Sequence, residues 1–349
     1  MRFSTIAAAG GLALLAGAAS AQTIPETRIT VLGNLGITTQ SRNLEAPFWN
    51  AGIRDASGGR VQASFRPWNE AGLRGPEVFR ILARGQANIA TAQLGHHAGD
   101  AAINDANDLA GLASSLDEFR RVTDAFRPVL TRFYEERLGL TPLTFQSFQS
   151  QVILCRTPLN ALAELRGRRV RTSGASQGDF VAYFGGTPVD LAFGEVGQAL
   201  AQGTIDCAIT GTLGGYSARW TESARAVFTL PVNFGAGATV ANLAWWRGLP
   251  EVTRTLLTTQ LRALEQRMWA LNAEEDAMGI ACLTTGPCPL GQPAGLTRVD
   301  PSAADTEARR RAMLERVLPA WAARCGADCV REWNASIGRV VGLEARAGS

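Results

Sequence analysis

Between Arg168 and Asp206 the chain alternates between strand-like and helix-like hydrophobic periods, and this alternation restricts it to an α/β fold. Arg168–Thr172 reads as a short strand, Ser173-Gly174 as a turn, Gln177–Phe184 as a helix, and Gly185-Gly186-Thr187-Pro188 as the return to a second strand. That order is a βαβ unit. In open α/β sheets ligands gather beyond the carboxyl ends of strands. Arg171 stands where the first strand opens into the helix, so its planar donor fork is directed into a cleft rather than into bulk water.

The same alternation appears earlier. Thr27–Leu32 alternates and ends at Gly33-Asn34, Ala46–Ala56 has helical spacing, Val61–Arg66 alternates again, Val78–Arg84 returns to helix, and Ala87–Thr91 to strand. Leu116–Arg137 follows as a helix with Asp117 and Glu118 near its start, then Leu143–Phe148 and Val152–Arg156 as extended segments. Two α/β lobes are the economical account, and 349 residues suit two domains of ordinary size. From Pro250 the pattern changes: Val252, Leu256, Leu257, Leu261, Leu264, Met268 and Leu271 share one helix face. A helix of about 25 residues would reach nearly 40 Å, and the pattern permits either a span across both lobes or an oligomer-forming coil. Helical blocks at Ala303–Ala323 and Cys329–Ile337 close the chain.

The N-terminus reads as an export signal over residues 1–21: Arg2, an apolar run from Ile6 to Ala18, and the cleavage site Ala19-Ser20-Ala21, with the mature chain starting at Gln22. The run is shorter than the roughly 20 residues a bilayer span needs, so the protein is not expected to span a membrane. Its 34 basic residues nearly balance 31 acidic ones, which argues against nucleic-acid binding. Every basic residue other than the two histidines is arginine, as codon bias in a G+C-rich genome would give. In an exported chain six cysteines point to disulfides. Cys282 and Cys288 can close around Gly286-Pro287, Cys325 and Cys329 can close if Gly326 breaks the helix, and Cys155 and Cys207 lie on strands that can be neighbours. Six cysteines allow fifteen pairings, so other connectivities stay open.

Three spaced blocks carry a family resemblance: Leu165-Arg166-Gly167-Arg168-Arg169-Val170-Arg171, then Gly186-Thr187-Pro188-Val189, then Phe193-Gly194-Glu195-Val196 through Ala199-Leu200, Gly203 and Asp206. They resemble the substrate-binding proteins of tripartite ATP-independent periplasmic (TRAP) transporters, DctP type. Trp68-Asn69-Glu70-Ala71-Gly72 and Trp245-Trp246-Arg247-Gly248-Leu249-Pro250 extend the likeness over nearly the whole mature chain. The resemblance implies a two-lobed periplasmic binding protein-like fold with discontinuous lobes, mixed sheets and a long lobe-spanning helix. Residues 22–148 with 236–275 would form one lobe and 149–235 with 276–349 the other. It also implies a periplasmic monomer that hands a small organic acid to two TRAP membrane subunits, uses no cofactor and catalyses nothing.

In that family the arginine at the position of Arg171 clamps the ligand carboxylate, and a guanidinium can do so through two parallel charge-assisted bonds. Two positions depart from the pattern. Thr210 stands where the family has asparagine, and Gln151 where sialic-acid and some C4-dicarboxylate members have a second arginine. A neutral amide cannot balance a second charge, which favours a monocarboxylate. Phe148, Gln149 and Gln151 are expected on the hinge side of the cleft. Thr38 and Gln93 are expected on loops after the first and third strands, with Trp68 and Trp220 as apolar walls. Phe193 is expected to start a helix near the cleft, and Glu195 to satisfy backbone donors. His96 and His97 diverge in a strand and lie poorly for chelation in a helix, so no metal is expected. Seryl hydrolysis is not expected, no Gly-x-Ser-x-Gly motif and no His/Asp constellation being read, and the glycine-rich runs at Gly33 and Gly211 lack a nucleotide-binding context. The alternatives are an exported enzyme acting on small acids and a receptor for another transport or sensory system.

Overall fold

The computed structural model describes residues 23–347, so the export signal read at residues 1–21 lies outside the described residues. The strands are β1 (Thr27–Gly33), β2 (Val61–Pro67), β3 (Ile89–Gln93), β4 (Leu140–Gln146), β5 (Gln151–Cys155), β6 (Arg169–Thr172), β7 (Thr187–Asp190), β8 (Cys207–Gly211), β9 (Ala226–Asn233), β10 (Gly237–Asn242) and β11 (Thr297–Val299). The helices are α1 (Ile53–Ala56), α2 (Val78–Ala83), α3 (Leu116–Phe133), α4 (Ala175–Tyr183), α5 (Val196–Gln202), α6 (Thr212–Ser217), α7 (Leu243–Gly248), α8 (Glu251–Leu283), α9 (Ala303–Ala312), α10 (Leu318–Trp333) and α11 (Arg339–Val341).

Two mixed sheets result, one ordered β2-β1-β3-β10-β4 and the other β11-β9-β5-β8-β6-β7. In the first, β1 runs parallel to β2 and β3, as βαβ connections require. The later strand β10 enters antiparallel between β3 and β4. In the second sheet the run β6-α4-β7-α5-β8 makes one parallel part, β11 pairs parallel with β9 at the edge, and β5 pairs antiparallel with both β8 and β9. The chain therefore leaves the first sheet after β4 and returns to it between β9 and β10. The two crossings touch: Phe148 N donates to Phe234 O at 3.1 Å and to Gly235 O at 3.0 Å.

The segment expected as a strand over Leu143–Phe148 begins and ends earlier, at Leu140–Gln146. Gly139, in the left-handed region at φ 63°, stops the helical run through Leu138 and releases the chain directly into β4. Phe148 is thereby left on the crossing rather than in the sheet.

Helix α8 has 33 residues, longer than the expected 25, and extends about 50 Å. Its apolar face is used within the chain. Leu257, Leu261, Leu264 and Met268 pack with Ile29 and Val31 of β1, while Leu283 packs with Val152 and Leu154 of β5. At the crossing, Asn272 Nδ2 donates to Ser147 O at 2.6 Å and Asp276 Oδ1 accepts from Ser150 N at 2.8 Å. Gly279 is required there, since a Cβ would stand 2.5 Å from Thr212 Oγ1. The two C-terminal helical blocks run together from Ala303 to Gly338 through two π-helical turns and a break at Gly326 (φ 82°). This segment grips both parts: Trp321 Nε1 donates to Ala102 O and Trp333 Nε1 to Ala106 O, while Arg324 pairs with Asp179 of α4 at 2.7 Å.

Cys155 is disulfide-bonded to Cys207, directly opposite it on β8; Cys282 is bonded to Cys288 and Cys325 to Cys329. The first bond closes a loop with a sequence separation of 52, against 6 and 4 for the others. Loop-closure entropy then gives about 4 kcal/mol for the first and about 2 kcal/mol for each short loop. Replacing Cys155 and Cys207 together by serine is expected to lower unfolding free energy in urea by about 2–4 kcal/mol, more than opening either short loop.

Candidate ligand-binding site

Between the sheets lies an inner cavity of about 70 Å³ that opens into an outer cleft of about 950 Å³. Ends of β1, β3, β6 and β8 supply its walls, the arrangement expected at the carboxyl edges of α/β sheets.

Arg171 sits on β6 and is only 3% exposed. Nε donates to Leu191 O at 3.0 Å and Nη1 to Ile209 O at 3.1 Å, which fixes the fork with its end toward the cavity. The guanidinium carbon stands 5.7 Å from the centre of the Trp220 ring. Nη2 has no hydrogen-bond partner among the described residues. Its neighbours Arg168 and Arg169 pair with Glu164 and Asp206, whereas no carboxylate of the described residues pairs with Arg171. Burial pushes its pKa down to about 10, countered in part by Asp190, so the group is still charged at neutral pH. A buried cation without a counter-ion costs several kcal/mol, and an anion entering the cavity recovers part of that cost.

Around Arg171 the lining is neutral. Thr210, at the end of β8, and Gln151, at the start of β5, are nearly buried, at 4% and 5% exposure. Gln151 Nε2 donates to Gln149 O at 2.9 Å, and Gln149 Nε2 reaches Glu275 of α8 at 2.6 Å. Phe148 is half-buried beside them. From the other sheet come Thr38, Trp68, Gln93 and His96. The cleft is narrow on one flank, where a Cβ at Gly174 would stand 3.4 Å from Gly95 O.

Of the residues singled out in the sequence, Arg171, Gln151, Thr210, Phe148, Gln93, Thr38 and Trp68 line the inner cavity. Trp220 does not. It is 1% exposed, packs against Phe193 at 4.9 Å, and reaches only the outer cleft as the floor beneath Arg171. Phe193 does open a helical turn leading into α5, and Glu195 Oε2 accepts from Ala192 N at 3.2 Å. Asn34 and Ser173, absent from the sequence-based set, also line the cavity, and their signal is position: each immediately follows a strand, β1 or β6.

The two histidines do diverge. His97 stacks on Phe79 at 4.0 Å, while His96 turns to the cleft with Trp68 edge-on at 6.3 Å. No group of His, Cys, Asp and Glu able to hold a metal occurs among the described residues. Contrary to the reading that no Gly-x-Ser-x-Gly motif is present, Gly174-Ala175-Ser176-Gln177-Gly178 has that form and opens α4 directly after β6. Its serine is 3% exposed, and Ser176 Oγ accepts from Ala110 N at 2.6 Å. Asp105 accepts from the Ser176 backbone N at 3.3 Å rather than orienting a histidine, so this serine ties two segments together.

Three buried carboxyls near the cleft are shifted upward by desolvation: Glu45 and Asp105 to about 7, and Asp108 to about 6. Each holds its proton more tightly folded than unfolded, so its contribution to stability is complete at low pH and is lost as pH rises through 6 to 7. His96 and His97, pushed down by burial to about 4 and 3, act in the opposite sense, their contribution being lost as pH falls below about 6.5. Between pH 6.5 and 8 Glu45 and Asp105 give up their folded-state protons, which outweighs the remaining titration of the two histidines in the unfolded chain. Melting temperature is therefore expected to fall between pH 6.5 and 8, and Glu45→Gln to flatten that fall in scanning calorimetry.

Two mixed sheets around a cleft that contains, among the described residues, one buried cation without a carboxylate partner are the architecture of a solute-binding protein. Residues 38–290 match the model of bacterial extracellular solute-binding protein, family 7 (DctP), and the chain belongs to that family. No curated protein matches the sequence. Among solved structures, the chain is similar to DctP7, a Bordetella pertussis extracytoplasmic solute receptor binding pyroglutamic acid, at 21% identity and TM-score 0.78, covering 89% of this chain and 99% of that one. It is also similar to a TRAP periplasmic solute-binding protein from Rhodoferax ferrireducens with bound malonate, at 18% identity and TM-score 0.78, covering 90% and 98%. A third, from Sulfitobacter sp. NAS-14.1 with bound β-D-galacturonate, has 17% identity and TM-score 0.77, covering 89% and 99%. At these identities the likeness establishes the two-lobed mixed α/β fold.

Proposed function

We propose that this chain is the periplasmic receptor of a TRAP transporter. It captures a small organic acid by closing two lobes around it, with Arg171 on the carboxylate, and presents the closed form to the membrane subunits. The observation that carries this reading is the Arg171 guanidinium: buried, fixed by two carbonyls, lacking a carboxylate partner, and directed into a cavity. The ligands named for the three similar structures, pyroglutamic acid, malonate and galacturonate, are all carboxylic acids. Among the described residues, Arg171 is the one permanently charged residue lining the inner cavity, which favours a single carboxylate.

Among the described residues, 23–148 with 236–275 make one lobe and 149–235 with 276–347 the other. The adjoining crossings at 147–150 and 234–236, together with α8, serve as the hinge. Ligand contacts from both lobes stabilise the closed form over the open one, and that difference in affinity drives closure. Among the described residues no helix is long and apolar enough to cross a membrane, consistent with a receptor that meets its permease at a surface.

Mass spectrometry of purified protein tests the reading. An organic acid retained through purification is expected to be recovered unchanged after prolonged incubation. Conversion of that acid into product would establish the enzyme alternative instead.

A further inference from the structure

Resting on the receptor reading and deepening it, we propose that His96 reads the far end of the ligand and admits an uncharged polar group there, an amide or a hydroxyl, in preference to a second carboxylate. His96 borders the inner cavity and the outer cleft together with Arg171, from the opposite sheet. Its Nδ1 edge lies against Gly75, where a Cβ would stand 2.2 Å away, and Nδ1 is buried without a hydrogen-bond partner. That packing leaves Nε2 as the edge available to a ligand. Nε2 has no partner among the described residues, and the tautomer protonated there leaves no buried N–H unpaired, so His96 offers the cavity a donor.

The charged surroundings keep this imidazole neutral. Burial, and then the Arg171 charge across the cavity, push its pKa to about 4. Asp100 is engaged by Arg80, and Asp105 is itself buried and shifted toward its neutral form. His97 turns away onto Phe79, and Arg74 borders only the outer cleft. No formal positive charge therefore awaits a second carboxylate. An amide or hydroxyl oxygen accepts the same hydrogen bond without carrying an uncompensated charge into the cavity. A dicarboxylate would have to draw a proton from solvent onto Nδ1 as it binds, Nε2 already carrying one, and would thereby bury an unpaired N–H against Gly75.

Matched probes test this: succinate against succinamate, and malonate against malonamate, titrated calorimetrically at pH 7.5 in buffers of different ionisation enthalpy. In the unmodified protein the monoamide of each pair is expected to bind at least about tenfold more tightly, one pKa unit of penalty being a factor of ten. Any dicarboxylate binding should take up close to one proton, and monoamide binding none. His96→Gln should abolish the proton uptake, and His96→Arg should reverse the preference. Tighter dicarboxylate binding by the unmodified protein, or a ranking and proton uptake identical in both variants, would overturn the inference. Should His96→Arg fail to fold, the proton count in His96→Gln still decides. If no acid binds the unmodified protein, the receptor reading fails and this inference with it. If acids bind, and binding is lost in Arg171→Ala but indifferent to His96, this inference alone fails.

Discussion

Arg171→Ala is expected to weaken ligand binding by about 2–5 kcal/mol, or roughly 30-fold to several thousand-fold, the range for deleting one member of a desolvated charge pair. Folding stability should change far less. The free protein carries this cation in a buried site with only Leu191 O and Ile209 O as acceptors, so its removal also removes a desolvation cost. A loss of affinity without a loss of stability separates a binding clamp from a structural arginine. Arg171→Lys should fall between, because an ammonium keeps the charge but cannot hold both carbonyls and a carboxylate in one plane. Calorimetric titration paired with urea unfolding reads both quantities on the same samples.

The second large effect lies at the crossing. Asp108 accepts from Phe234 N and Ala236 N, each at 2.9 Å, and from Asn233 Nδ2 at 2.8 Å. Its carboxylate thereby holds the link between β9 and β10 where the chain changes sheets. Asp108→Ala would strand two backbone donors in a buried segment, at about 1–3 kcal/mol each. A destabilisation of about 3–5 kcal/mol is expected, placing it among the severe single substitutions. Asp108→Asn keeps one acceptor oxygen but turns an NH2 toward the remaining donors, so it should recover only part of the loss. Urea midpoints at constant m-value distinguish this local failure from a change in the unfolded state. If the crossing is also the hinge, affinity should fall in the same variants even though Asp108 does not line the cavity.

Much of the fold is written in local pattern. The period changes around Arg168–Thr187 give β6, α4 and β7 to within a few residues, and strand ends then point to the cavity without any long-range information. Arg171 stands out because its side chain follows from the strand it ends. What escaped the sequence depends on contacts between distant segments. Trp220 is apolar in either role, and only the packing of Phe193 shows that it faces the core under Arg171 rather than the ligand. Between two adjacent histidines, Gly75 decides which one faces the cleft, twenty-one positions upstream of His96. Asp108 has no motif. Its importance comes from backbone donors 126 and 128 residues away, which only the crossing brings together. Helix α8 runs past the end of its hydrophobic period because beyond Leu271 its buried positions include Asn272, Glu275 and Gly279, polar or small residues that such a period does not register.

The most direct test of the central claim is a crystal structure with the ligand bound. The account predicts a carboxylate on the free end of the Arg171 guanidinium, with two N–H···O distances of about 2.7–2.9 Å, while Nε stays on Leu191 O. A ligand seated in the cleft with its carboxylate on other donors, and Arg171 still bonded only to Leu191 O and Ile209 O, would contradict it.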